Sequence, residues 1–253
     1  VAFEPGGARL FTKTNAKKGR KQMKYIFCVL FFAANAFAQI DGNPANWCRN
    51  GLFPQENDFK IAKIKGAKNE KAYFYKDLEN CPDGKNCLEK SYVIAGDEVI
   101  TSRNFGKYTC SWFQPNKGPE TVGWILSEKL EFVEANSNPK LNDWLGTWKF
   151  YDNTIDIVIS KERGNVSIAG DATWKGLGDN VHIGELDSIS EPVGNVLKIG
   201  EKETDEFACK VMMRLVGKFL IASDNLNCGG ANVTFSGVYQ LTLGLPPFIP
   251  KQL

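Results

Sequence analysis

Ile155-Asp156-Ile157-Val158-Ile159 decides the architecture. Isoleucine returns at every second position, the period of a strand with one face toward a core. Working outward, the same habit recurs on both sides. Trp144-Leu145-Gly146-Thr147-Trp148 lies upstream. Downstream come Val166–Gly170, Ala172–Trp174, Val181–Ile183, Asn195–Ile199, Phe207–Met213, Phe219–Ser223 and Val233–Tyr239. Gly, Asn and Asp break these runs, and helical periodicity is scarce. About eight short strands in roughly 100 residues predict a small closed antiparallel barrel over residues 141–243. Closure removes the unpaired edges that invite aggregation.

A second set of runs precedes it, over residues 58–134. They are Phe59–Ile64, Tyr92–Thr101, Lys107–Phe113, Thr121–Ile125 and Leu130–Val133, with Tyr73-Phe74-Tyr75 in a polar loop. The polar, proline-containing stretch 135–140 (Ala135-Asn136-Ser137-Asn138-Pro139-Lys140) reads as a linker. The tail 244–253 contains Pro246-Pro247-Phe248-Ile249-Pro250 and is expected to be extended. The expected fold class is therefore all-β: a small barrel followed by a larger one.

The N-terminal region has a different character. Lys21, Met23 and Lys24 precede the apolar run Tyr25–Ala34, and Ala36-Phe37-Ala38 follows. A basic flank, a short apolar core and an A-x-A exit predict a secretory signal peptide at 23–38. The run is shorter than the roughly 18–20 residues of a membrane span. Residues 1–22 are expected to be an upstream or mis-started leader, since a signal of this kind begins at Met23. The protein that remains is expected to be periplasmic or secreted, with no membrane span.

Charge supports this division. The 253 residues carry a net charge of +2, with 31 basic and 29 acidic side chains. Residues 1–38 hold seven of the basic ones and a single acid, so the remainder is at −4. No basic patch survives to attract nucleic acid.

Cys28 falls in the signal segment. The other six cysteines, an even number in an exported chain, read as three disulfides. Fifteen pairings are possible. The expected set is Cys48–Cys110, Cys81–Cys87 and Cys209–Cys228, each closing within or beside one predicted domain. Metal binding is the rival reading, but Cys81-x5-Cys87 lacks the C-x2-C knuckle, so no metal or other cofactor is expected.

Catalytic candidates are few. The chain has one histidine, which excludes HExxH zinc chemistry and Cys2His2 fingers. His182 lies between Val181 and Ile183 and is expected to be a solvated strand residue. Adjacent acids occur at Asp97/Glu98, Asp152/Asp156 and Glu203/Asp205/Glu206. They suit turns and surfaces better than the spaced carboxyl pair of a glycosidase. Asp224-Asn225-Leu226-Asn227 lacks the EF-hand spacing and reads as a turn beside Cys228. Asn165-Val166-Ser167 and Asn232-Val233-Thr234 match the glycosylation pattern, which matters only in a eukaryotic secretory pathway. Aromatic residues are the better candidates. Tyr73, Tyr75, Trp112, Phe113 and Trp124 would form an amphipathic platform for a peptide or glycan if they cluster on the surface.

Three resemblances sharpen this. Gly96-Asp97 before Glu98-Val99-Ile100, the Tyr108…Trp112 strand, and Gly123-Trp124-Ile125 before a short helical turn resemble the bacterial SH3 family over about residues 58–134. The resemblance implies an SH3-like barrel that recognises a peptide or cell-wall component. Gly146-Thr147-Trp148 resembles the opening of lipocalin-like (calycin) barrels. The Asp224…Tyr239 region resembles a recurrent ending of uncharacterised exported bacterial proteins. Together they imply a non-enzymatic binding protein whose partner is a cell-envelope peptide, peptidoglycan or periplasmic protein. The alternatives are an inhibitor or immunity protein against an envelope-targeting enzyme, and a carboxylate-based envelope hydrolase.

Overall fold

A computed structural model of the chain describes residues 47–242 apart from Glu79 and Lys202. The leader, signal and tail read at 1–22, 23–38 and 244–253 lie outside the described residues. The fold is all-β, with one seven-stranded sheet and one nearly closed eight-stranded barrel, all strand pairs antiparallel.

The first sheet contains β1 (Lys60–Ile64), β2 (Lys71–Tyr75), β3 (Leu88–Ile94), β4 (Glu98–Phe105), β5 (Tyr108–Phe113), β6 (Thr121–Leu126) and β7 (Leu130–Val133). Its order is β3-β2-β6-β5-β4-β1-β7. Two glycines matter for this path. Gly96 takes φ 94° in the turn before β4, a conformation that side chains oppose. At Gly123 an added Cβ would meet the Tyr75 carbonyl at 3.1 Å and the Phe74 ring at 3.2 Å. The missing side chain lets β2 and β6 close together beside Trp124, which pairs with both Tyr75 and Cys110. The short turn Ser127–Lys129 then leads into β7.

A one-turn helix, α1 (Leu141–Trp144), introduces the barrel. Its strands are β8 (Gly146–Phe150), β9 (Asn153–Ile159), β10 (Val166–Lys175), β11 (Val181–Ser190), β12 (Val196–Ile199), β13 (Val211–Val216), β14 (Phe219–Asp224) and β15 (Gly237–Leu241). Apart from β11 and β12, each pairs with the next in sequence, and β15 returns to β8. The single open seam lies between β11 and β12. There the Ser190 hydroxyl donates to the Lys198 carbonyl at 2.7 Å.

The barrel interior is filled by its own side chains. Trp148, Ile155, Ile157, Ile168, Met213 and Tyr239 belong to one fully buried cluster. Ile155 and Ile157 face inward as their alternation requires, whereas Ile159 ends its strand 61% exposed. Trp148 donates its indole N–H to the Trp144 carbonyl at 2.9 Å, closing one end.

Strand limits differ from the sequence reading where a distant residue intervenes. Gly170 does not end a strand but pairs with Ile155 and Leu186 inside the ten-residue β10, where the Thr154 carbonyl and the Phe235 ring crowd the space a side chain would need. Phe207 is exposed, and β13 begins only at Val211. Val233–Ser236 is irregular, because the Asp224 carboxylate holds it. That carboxylate accepts from the Thr234 hydroxyl (2.7 Å), the Phe235 amide (2.8 Å) and the Ser236 hydroxyl (2.8 Å).

The two sheets share a core. Val216, Phe219, Ile221 and Val238 project from the barrel's outer wall into a cluster with Phe53, Trp112 and Trp124. Trp112 meets Phe219 edge-on at 5.0 Å. Residues 47–57, upstream of the predicted first domain, are wedged here too. Phe53 is fully buried, Gln55 donates to the Ser236 hydroxyl at 2.8 Å, and Cys48 is bonded to Cys110. The other disulfides join Cys81 to Cys87 and Cys209 to Cys228, so all three expected pairs are present.

Candidate functional sites

The five aromatic candidates do not converge on one platform. Trp112 and Trp124 are 2% and 0% exposed and build the shared core. Strand alternation requires one of Trp112 and Phe113 to leave the sheet's own core, and that residue is Trp112, but the barrel wall covers it. Phe113 packs, half-buried, against the cluster containing Ile125 and Leu130. Tyr75 is half-buried with its ring edge-on to Tyr108 at 5.0 Å. Tyr73 stays on the surface.

Tyr73 has a partner the sequence reading missed. β2 and β3 pair Tyr73 with Tyr92, and their rings lie 5.7 Å apart. Both are open, at 38% and 43% exposure. The Lys71 ammonium stands 3.9 Å over the Tyr92 ring, and Leu88 is exposed on the same strand pair. This makes an aromatic and aliphatic face on the edge hairpin of the first sheet. Nothing local in the sequence joins Tyr73 to Tyr92; only the antiparallel register does.

On the inner side of the hairpin lies a groove of about 420 Å³, bordered by Arg49, Asp77, Glu89, Ser91 and Glu120. Arg49 Nε reaches Asp77 Oδ2 at 2.5 Å, and its terminal nitrogen donates to the Asp77 carbonyl at 3.0 Å. Burial pushes the Asp77 carboxyl up, partly opposed by Arg49, the Cys48 amide and the Trp124 indole. Glu120 is also pushed up by burial, opposed only by the Trp112 indole N–H, which donates to Oε2 at 3.1 Å.

A cavity of about 790 Å³ opens along the β11–β12 seam. Glu162, Glu191, Glu201 and Glu203 border it, along with Ile189 and Lys198. Lys198 is paired with Glu201 at 2.5 Å.

The remaining candidates have structural partners. His182 is half-buried on β11. Its ring packs on Trp174 at 5.1 Å, and Nδ1 lies 2.5 Å from the Ala231 carbonyl. It faces in while Val181 and Ile183 face out, because the Cys228–Ala231 loop folds over that end of the barrel. Asp97 accepts from the Ile94 amide at 2.8 Å, Asp152 pairs with Lys175 at 2.7 Å, and Asp156 accepts from the Thr147 hydroxyl. Asp205 accepts from the Phe207 amide at 2.9 Å. Among the described residues, no group of three or more His, Cys, Asp or Glu could hold a metal ion. Nor is any helix among them long and apolar enough to cross a membrane.

No family model, curated protein or solved structure matches the chain.

Proposed function

We propose that this chain is an exported binding protein, periplasmic or secreted, that recognises a cell-envelope peptide without transforming it. The observation that carries the reading is the exposed Tyr73–Tyr92 pair with Lys71 over one ring. Large rings left in water on an edge hairpin are amphipathic contact area at low entropic cost. β3 is also the terminal strand of its sheet, so its outer edge offers main-chain hydrogen bonds to an extended segment. The SH3-like pattern of residues 58–134 and the three disulfides support the same role and setting. The lipocalin-like opening of the barrel does not suggest a ligand cup, since the interior is packed.

The test is capture of envelope peptides by the purified mature protein. Replacing Tyr73 and Tyr92 together by Ala should weaken capture about tenfold, equivalent to about 1.4 kcal/mol, with the fold intact. Capture of peptide-free glycan strands instead would transfer the site to a sugar ligand. Unchanged capture by the double variant, or turnover of a wall substrate by the wild type, would remove the proposal.

A further inference from the structure

A smaller niche, about 190 Å³, lies where the Gln114–Glu120 loop meets the β8–β9 hairpin. It is separate from the Tyr73–Tyr92 face. Its walls include Glu120, Phe150, Tyr151, Gln114, Gln240 and the exposed Lys149. Three observations point to a ligand.

The first is an anion with no ion-pair partner among the described residues. Glu120 is desolvated, and the Trp112 indole is the one group among the described residues that supports its charge. Lys149 acts on Asp152 instead, and Asp152 already holds Lys175. A part-buried carboxylate left this way weakens the fold, so the chain carries it at a cost.

The second is backbone strain. The hairpin joining β8 to β9 is a two-residue turn with positive φ at its first central position alone, where glycine is the favoured residue. This chain has Tyr151-Asp152, and Tyr151 sits at φ +51°. A bulky residue in that region is a genuine outlier. Its side chain does not repay the strain by burial, since Tyr151 is 62% exposed. Strain kept where packing does not need it is a mark of function.

The third is that the wall is built in advance. The Phe150 ring lies against Gly237, where an added Cβ would be 2.4 Å from it. Phe150 in turn holds Tyr151 edge-on at 4.8 Å. Opposite, the Gln114 amide ties its own loop to the Pro115 and Gly118 carbonyls, at 3.2 and 3.1 Å. Glu120 lies close enough to Tyr151 for its charge to bear on the phenol.

An anion beside two aromatic rings, in a space too small for a peptide, suits one ligand chemistry. We propose that this niche binds an alkylammonium group, with its nitrogen on Glu120 and its methylenes against Phe150 and Tyr151. Carboxylate attraction and the ring faces then act on the same cation. The group has two sources, a lysine-type side chain on a partner or a free amine.

The Trp112 indole N–H is a built-in reporter, because it donates to Glu120. In ¹H–¹⁵N spectra of the full mature protein, n-butylammonium should shift that resonance saturably, and n-butanol should not. Glu120→Gln and Tyr151→Gly should each weaken the response at least tenfold, whereas Tyr151→Phe should retain it. Both weakening variants should unfold at the same temperature as the wild type or higher, since each removes a cost. A residue kept for packing would show the opposite. Titrating a lysine-containing peptide beside the free amine distinguishes the two sources. An equal response to butanol, no saturable shift, or lowered melting temperatures for both variants would overturn the assignment.

Discussion

β14 and β11 belong to the same barrel and have opposite fates. β14 is buried on both faces: Leu220 and Ala222 line the interior, and Phe219 and Ile221 are covered by the first sheet. β11 is buried on one face only. Leu186 points in, and Val181, Ile183 and Ile189 are left 50–63% exposed on the outside. Interior packing alone therefore suffices to form a barrel strand. The second buried layer is a separate contribution, made where the first sheet and residues 47–57 lean on the wall. The barrel's unpaired seam borders β11, the strand whose outer face is exposed.

The largest test of this contrast is truncation on each side. Phe219→Ala or Trp112→Ala should cost about 3–5 kcal/mol, measured by denaturant unfolding. Ile183→Ala should stay within about 0.5 kcal/mol. Equal losses at the two sites would show that the first sheet does not stabilise the barrel.

Next is the covalent tie on the covered side. The Cys48–Cys110 bridge spans 62 residues and holds the buried strap to β5. Replacing both cysteines by Ala should cost about 2–4 kcal/mol. The loss should exceed that for Cys81–Cys87, whose separation is only 6 residues. A smaller effect is expected at the seam. Ser190→Ala removes the side-chain bridge to β12 and should cost about 1 kcal/mol. Hydrogen exchange should then speed up in β11 and β12 without change in β14.

The smallest effect separates covered from exposed carboxylates by the sign of their pH dependence. Asp77 and Glu120 have folded values above their ordinary ones. The native state then binds the extra protons, so stability falls as pH rises through the window between the ordinary and raised values. Glu70 and Asp152 are lowered by Lys129 and Lys175. Their contribution is present above the ordinary value and lost as pH falls toward the lowered one. Glu120→Gln should therefore flatten the first slope and leave the second unchanged, as read from melting temperature across acidic pH.

Much of this was legible in the chain. The alternation at Ile155 and Ile157 placed β9 and its inner face. Cysteine positions within or beside each run of strands sufficed to choose three pairs from fifteen. The Phe219-Leu220-Ile221-Ala222 run shows β14 correctly as a strand, and its lack of alternation already fits a strand covered on both sides. Other features were hidden. Gly170 looks like a strand end unless one knows that Phe235 lies over it. Nothing near His182 in the chain shows that the Cys228–Ala231 loop packs against its ring.

By itself the sequence determined periodicity, strand content and the cysteine framework, because these depend on local alternation and short loops. Only the tertiary structure decided which aromatics meet solvent. Trp112 and Tyr73 are equally plausible contact residues in one dimension. The barrel wall that buries Trp112 lies about a hundred residues away in the chain, at Phe219. Exposure is a property of what covers a face, and cover comes from chain segments that local pattern does not connect.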